Sequence, residues 1–321
     1  MIDEIGFLYY YRNNEMDVFS RVMDKTDIVD IEFRQVTQEM NEQIVNLYQY
    51  FGLGQPEYAN SGLICYQMNT SQEVSFGRKK PAVLILPGGG YTHTSAREAE
   101  PVALRFAARG YVPFVLHYSV APCVWPVALR EAAMAMRYIR ENCREYEVNP
   151  AMVAAIGFSA GGHLCGCLGM LFDSPEVADI GPAELIRPDA LGLSYPVAVS
   201  WGRTHEGSFE YLTGGNRELR EKISLERMVR PDMCPVFLWH TRDDATVPCR
   251  NSLILAHALE EQGVDFALHI YRHGKHGLAT ADEMVYPAYN VPTVSADVAG
   301  WLDTMLAFFA EIGFRITDIQ E

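Results

Sequence analysis

Ala151-Met152-Val153-Ala154-Ala155-Ile156-Gly157-Phe158-Ser159-Ala160-Gly161-Gly162-His163-Leu164-Cys165-Gly166 is the stretch that decides the fold. An apolar run of strand character gives way at one serine to a run of small residues of helical character. A strand that turns this sharply into a helix forces the residue at the apex to a positive φ. Side chains two positions to either side would collide with neighbouring backbone, so glycine belongs there. Gly157 and Gly161 occupy those two positions, and the Ser159 hydroxyl is pushed into the open. The following helix aims its first N–H groups at the same point, where they can stabilise a developing negative charge. A strand–helix turn with a capping serine has the same local pattern, so the surrounding sequence must separate the two readings.

From about residue 62 onward, strand-like and helix-like runs alternate. Apolar runs fall at 63–68, 82–86, 112–116, 152–156, 190–193, 236–239 and 266–271. Helical runs fall at 96–108, 126–142, 159–171, 251–262 and 296–312. In the last of these Val298, Trp301, Leu302, Met305, Phe308 and Phe309 recur at helix spacing. Such alternation predicts an α/β fold: a mostly parallel sheet covered by helices on both faces. Ligands then bind beyond the carboxyl ends of the strands. Residues 1–60 read differently, as an N-terminal extension serving as a cap, a dimer arm or a docked segment. Aromatic residues such as Phe7, Tyr9, Tyr10, Tyr11 and Phe19 are interleaved there with acids. The spacing of Met40, Ile44, Leu47 and Tyr48 predicts a helix over 39–50. Residues 61–321 are expected to form the catalytic domain.

Composition narrows the function. The chain of 321 residues carries 26 basic and 41 acidic residues, a net charge of −15, and so lacks the basic footprint of a nucleic-acid binder. No run of 18 apolar residues is present to span a membrane. Seven cysteines are scattered without a C-x-x-C pair, as expected of free thiols in a reducing compartment. The acidic N-terminus does not read as a secretion signal. A cytoplasmic protein acting on a small molecule is the expectation, with self-association through the extension as a further one.

Four loops follow strand ends and carry distinctive residues. Pro87-Gly88-Gly89-Gly90-Tyr91 presents backbone N–H donors. It lacks the spacing of either common phosphate-binding glycine loop. Ser159 occupies the second loop. The third is His240-Thr241-Arg242-Asp243-Asp244-Ala245-Thr246-Val247-Pro248, and the fourth is Arg272-His273-Gly274-Lys275-His276-Gly277-Leu278. The order Ser, Asp, His supplies a nucleophile, an orienting acid and a base. His276 is the better base, because its glycine-flanked loop can swing it over the sheet. His163, behind the serine, reads as a packing residue. Successive side chains point different ways, so one of Asp243 and Asp244 should reach His276, and spacing alone leaves the choice open. His269, His273 and His276 would not converge on a metal from a strand and a turn. No metal and no cofactor are expected.

Together these blocks resemble the α/β-hydrolase esterases, in particular the acetyl xylan esterase-like and feruloyl esterase-like branch. The resemblance rests on PGGGY at 87–91, RFAARGYVPFVLHYSVAP at 105–122, GFSAGGHL at 157–164, LSYPV at 193–197, HTRDDATVP at 240–248 and YRHGKHGL at 271–278. It implies Ser159 as nucleophile, His276 as base and Asp244 as acid, with Gly89, Gly90 and Ala160 as oxyanion donors. Pro87 stands where the family often has histidine, and Thr241 where glycine is common. The resemblance implies hydrolysis of a small acyl ester, an acetyl ester, on a carbohydrate or oligosaccharide. Tyr91, Trp125, Tyr195 and Trp201 lie near strand ends, in reach of stacking on a sugar ring. Amide hydrolysis by the same triad, peptidase- or formamidase-like, is the rival expectation. A noncatalytic binding module and a lipase are weaker rivals.

Overall fold

The computed structural model describes residues 44–67, 77–285 and 295–317. Its centre is an eight-stranded sheet in the order β1-β2-β4-β3-β5-β6-β7-β8. The strands are β1 (Ile44–Val45), β2 (Gly62–Cys65), β3 (Lys80–Leu86), β4 (Val112–His117), β5 (Val148–Phe158), β6 (Ala190–Ser194), β7 (Val236–Thr241) and β8 (Phe266–Tyr271). β1 and β2 run antiparallel at one edge, and β4, β3, β5, β6, β7 and β8 are mutually parallel. Every residue of β3, β6 and β7 is buried, as a parallel sheet covered on both faces requires.

Alternate residues serve opposite faces. Leu84 and Leu86 point into a core shared with Leu129 and Met136 of α3 (Val127–Glu141), Leu164 and Leu168 of α4 (Ala160–Leu171) and Leu255 of α9 (Arg250–Glu261). Val83 and Ile85 point the other way, toward Phe106 of α2 (Glu100–Ala107) and Trp301, Met305 and Phe309 of α10 (Trp301–Glu311). The sheet therefore lies between two helical layers, and its central strand ends come together at one edge of the core.

Three expectations change. The helix predicted over 39–50 is only Leu47–Phe51, α1, with 39–43 outside the described residues. The β-branched pair Ile44–Val45 instead adds a strand to Leu63 and Ile64. The Asn46 side chain then accepts the Gln49 N–H, which starts the helix one residue later. The extension expected to end near residue 60 also ends sooner, because a compact unit begins at Ile44. Leu47 and Tyr48 are buried in it, and the Tyr48 hydroxyl donates to buried Glu131 at 3.1 Å. Of the residues 1–60 read as a cap or dimer arm, 1–43 lie outside the described residues. Finally, three short helices stand between β6 and β7: α6 (Glu206–Thr213), α7 (Arg217–Lys222) and α8 (Leu225–Met228), after the four-residue α5 (Ala183–Ile186). Each is too short to show a period. The side chains of His205 and Asn216 start the first two by capping.

Trp301 joins fold to loops. It is fully buried and stacked on Trp239 with ring centroids 5.3 Å apart, and its indole N–H donates to the Ala279 carbonyl at 2.9 Å. Trp301→Ala should destabilise the protein by about 3–5 kcal/mol. Urea unfolding would check this, and a loss within experimental error of zero would show that the second helical layer does not carry the core.

Candidate active site

Ser159 sits between the end of β5 and the first residue of α4, at φ 54° and ψ −116°. A side chain at Gly157 would overlap the Gly161 carbonyl, and one at Gly161 would overlap the carbonyls of Leu86 and Pro87. Neighbouring strand ends thus press against the turn and hold it sharp. The Ser159 N–H donates to Ser194 O at 3.0 Å, fixing the turn to β6 as well.

Around this serine the sequence-predicted residues converge. Ser159 Oγ lies 2.8 Å from His276 Nε2, and His276 Nδ1 lies 2.6 Å from Asp244 Oδ2. The aspartate left open by spacing is resolved: Asp243 turns outward and meets exposed His273 at 2.6 Å. His269 stacks on Phe237 instead, so the three neighbouring histidines go to three separate partners.

Asp244 is held from several directions. Its Oδ1 accepts the N–H groups of Thr246 and Val247, each at 2.9 Å. His240, fully buried, brings Nε2 to 3.3 Å from Oδ2 and to 2.8 Å from the Val247 carbonyl. Two acceptors at Nε2 place the proton there, so Nδ1 takes the Ser252 hydroxyl at 2.8 Å. Burial alone would raise the Asp244 pKa, but hydrogen bonds from His240 and His276, and the His276 charge, hold it well below the usual carboxylate range. Asp244 therefore stays ionised against His276. Sequence spacing gave no sign of the His240 contribution, because His240 belongs to β7 and its side chain is hidden.

The glycine loop closes the other side. Gly89 has φ 129°, and a side chain there would overlap the His93 carbonyl. Among the described residues, no acceptor is found for the N–H groups of Gly89, Gly90 and Ala160. Gly89 and Gly90 line a cleft of about 390 Å³ that also contains Ser159 and His276. Tyr91 and His163 secure the loop from below. The Tyr91 hydroxyl meets His163 Nδ1 at 2.9 Å, while His163 Nε2 reaches the Ile223 carbonyl at 2.8 Å.

The four aromatic residues expected to stack on a sugar do not line this cleft. Tyr91 and Tyr195 are buried beneath it, with relative exposures of 2% and 1%. Their hydroxyls need partners inside, and both find them there. The Trp125 ring packs against the core, and its backbone N–H donates to Leu212 O at 2.8 Å. Trp201 is exposed elsewhere, bonded to Glu226 and covered by Arg250. The cleft is lined instead by Thr92, His93, Arg97, His205, Tyr211 and Thr246. His205 and Tyr211 arrive on the short α6, which periodicity did not predict. His205 Nδ1 accepts from Ser208, leaving Nε2 as the protonated nitrogen of the neutral ring. Burial and the nearby His276 lower its pKa.

Comparison with known proteins came to the same region. A family profile described as BD-FAE matches residues 71–184, and one described as the prolyl oligopeptidase family matches residues 135–308. The chain is 35% identical over 243 residues to an endo-1,4-beta-xylanase B of Butyrivibrio fibrisolvens, covering 72% of this chain and 37% of that protein. It is 27% identical over 265 residues to an acetylxylan esterase of Xylanibacter ruminicola, covering 77% and 52%. The chain thus spans about a third to a half of the length of these curated relatives. Among solved structures, an acetyl ester-xyloside bifunctional hydrolase from Caldicellulosiruptor lactoaceticus superposes with a TM-score of 0.73 at 36% identity, covering 85% of this chain and 97% of that one. A carboxylesterase from Lactobacillus plantarum gives 0.72 at 25% identity, covering 85% and 98%.

Two predictions follow from this geometry. Asp244→Asn should lower kcat by about 10³–10⁴-fold, whereas Asp243→Asn should leave kcat within a few-fold of the parent. Equal losses at both positions in steady-state assays would reject the assignment of Asp244. The second concerns stability. Burial lowers the His163 pKa from 6.5 to about 4, so between those values the unfolded chain binds the proton that the folded chain refuses. Stability from this group is complete above pH 6.5 and is lost as pH falls, by up to about 3 kcal/mol. His163→Gln should flatten the fall in melting temperature over that window, and an unchanged slope would contradict the assignment.

Proposed function

The chain belongs to the α/β-hydrolase esterases, and from that membership we propose that it is a serine carboxylic-ester hydrolase acting through an acyl-serine intermediate. The observation that carries the reading is the hydrogen-bonded line Asp244–His276–Ser159 ending in a cleft beside the Gly89 and Gly90 backbone. His276 Nε2 takes the hydroxyl proton as Ser159 Oγ attacks the ester carbonyl carbon. Asp244 holds Nδ1–H and balances the imidazolium charge. The carbonyl oxygen becomes an oxyanion and accepts from the N–H groups of Gly89, Gly90 and Ala160. The bond to the alcohol then breaks, and His276 returns the proton to the leaving oxygen. Water repeats the sequence on the acyl-serine, releasing the acid and restoring the hydroxyl.

In this reading the acyl group is small, an acetyl, and the alcohol is a carbohydrate or short oligosaccharide. Relatives named for acetylxylan esterase and acetyl ester-xyloside hydrolase activities support this, though at 27% and 36% identity. The cleft supports it too. Thr92, Ser95, Arg97, His205 and Thr246 offer donors and acceptors to hydroxyl groups, and half-exposed Tyr211 offers a ring face. Amide hydrolysis by the same residues is the second reading, favoured by the prolyl oligopeptidase profile over 135–308.

On p-nitrophenyl esters, turnover should be fastest for acetate and fall through butyrate to octanoate. Acetate release from acetylated xylo-oligosaccharides should follow, and Ser159→Ala should abolish both while the circular dichroism spectrum is unchanged. Serine-dependent cleavage of anilides in preference to esters would select the second reading. Activity that survives Ser159→Ala would reject both.

A further inference from the structure

We infer that Glu98 is a positioning residue that holds the oxyanion loop and the His276 loop in register, an inference that rests on the serine-esterase reading above. Glu98 has no part in the triad, yet it forms part of the floor of the cleft with a relative exposure of 2%. Oε2 accepts the Gly88 N–H at 2.8 Å, at the base of the loop that presents Gly89 and Gly90. Oε1 accepts the Tyr195 hydroxyl at 2.7 Å. That hydroxyl in turn accepts the Ala279 N–H at 2.9 Å, three residues beyond His276. The Tyr195 ring meets the His276 ring edge to face, with centroids 5.1 Å apart. One carboxylate therefore ties three loops together: the glycine loop after β3, the Tyr195 loop after β6 and the histidine loop after β8.

The backbone explains why such a tie is needed. Tyr195 has φ 38° and Ala279 has φ 51°, conformations that residues with a Cβ seldom adopt. They persist only where the surroundings over-determine them. The Tyr195 hydroxyl stands between them, donating to Glu98 and receiving from Ala279. Burial first, and then the charge of Glu98, push its pKa far up, so it remains a neutral donor at any working pH. A glutamine at position 98 can keep the Gly88 bond through its carbonyl, but its amide then faces the Tyr195 proton with no acceptor to offer. The two strained loops would relax apart by a fraction of an ångström, enough to spoil alignment of base and oxyanion donors.

The test uses the full-length chain and p-nitrophenyl acetate, with active sites counted by fluorophosphonate titration. Glu98→Gln should lower kcat per titrated site by about 10–100-fold, with KM within about twofold of the parent. Tyr195→Phe keeps the ring against His276 and removes the hydroxyl, and should lower kcat in the same manner but less. The double variant should lose no more than Glu98→Gln alone, because both changes break one chain of bonds. A kcat per site within twofold of the parent in Glu98→Gln, or losses that multiply in the double variant, would overturn the inference. Should Glu98→Gln not fold, Tyr195→Phe decides, and a parental kcat there would overturn it. Ser159→Ala, run alongside, separates the two levels. An inactive Ser159→Ala with normal Glu98→Gln rejects only the positioning role, while a lack of serine-dependent turnover rejects the esterase reading with it.

Discussion

The close approach of backbone around Ser159 is the constraint on which the rest of the site depends. Leu86 and Pro87 leave no room for a Cβ at Gly161, and Gly161 leaves none at Gly157. The chain can pass between these strand ends only by turning sharply, with Ser159 at positive φ. The hydroxyl is then set at the mouth of the sheet, beside the first turn of a 12-residue helix. The same packing brings the glycine loop, which follows β3, against the serine, which follows β5. Two functions that are 70 residues apart in the chain become neighbours because their strands are neighbours.

Polar groups buried under the cleft fix the loops that the sheet merely delivers. His163 holds Tyr91, His240 supports Asp244, and Glu98 spans Gly88 and Tyr195. Each is satisfied by hydrogen bonds within the protein, which is the condition for keeping such groups away from water. The arrangement places buried hydrogen-bonded support directly behind Ser159, His276 and the glycine loop, while exposed side chains such as Thr92, His93 and Tyr211 form the cleft's outer lining. Preorganised donors of this kind stabilise developing charge without having to move.

Much of this was legible in the sequence, for identifiable reasons. The strand–serine–helix turn has steric requirements that only glycine meets, so it can be read directly. Parallel strands buried on both faces produce continuous apolar runs, and these located the strands from β2 onward to within a few residues. Loop order after those strands brought Ser159, His276 and the pair Asp243 and Asp244 into one group, and the bond from His276 to Asp244 separates the two acids. What was not legible depended on contacts between distant segments. Tyr91 and Tyr195 look like exposed loop aromatics, yet their hydroxyls find partners in His163 and Glu98 and draw the rings inside. Glu98 looks like a surface acid at the start of a helix until the 3₁₀ turn Ala96–Glu98 directs it inward. Ile44–Val45 has helical spacing, but pairing with Leu63 and Ile64 outweighs it. The short α6 has too few residues to show a period, and it carries both His205 and Tyr211.

In the proposed chemistry Ser159 is the nucleophile and His276 activates it, and intact-mass and peptide mass spectrometry after exposure to a fluorophosphonate reads out both roles. The expected result is one phosphonyl group per chain, on the peptide containing Ser159, with labelling slowed at least a hundredfold in His276→Gln. A label on another residue, or an unlabelled Ser159 in protein that still hydrolyses esters, would contradict it.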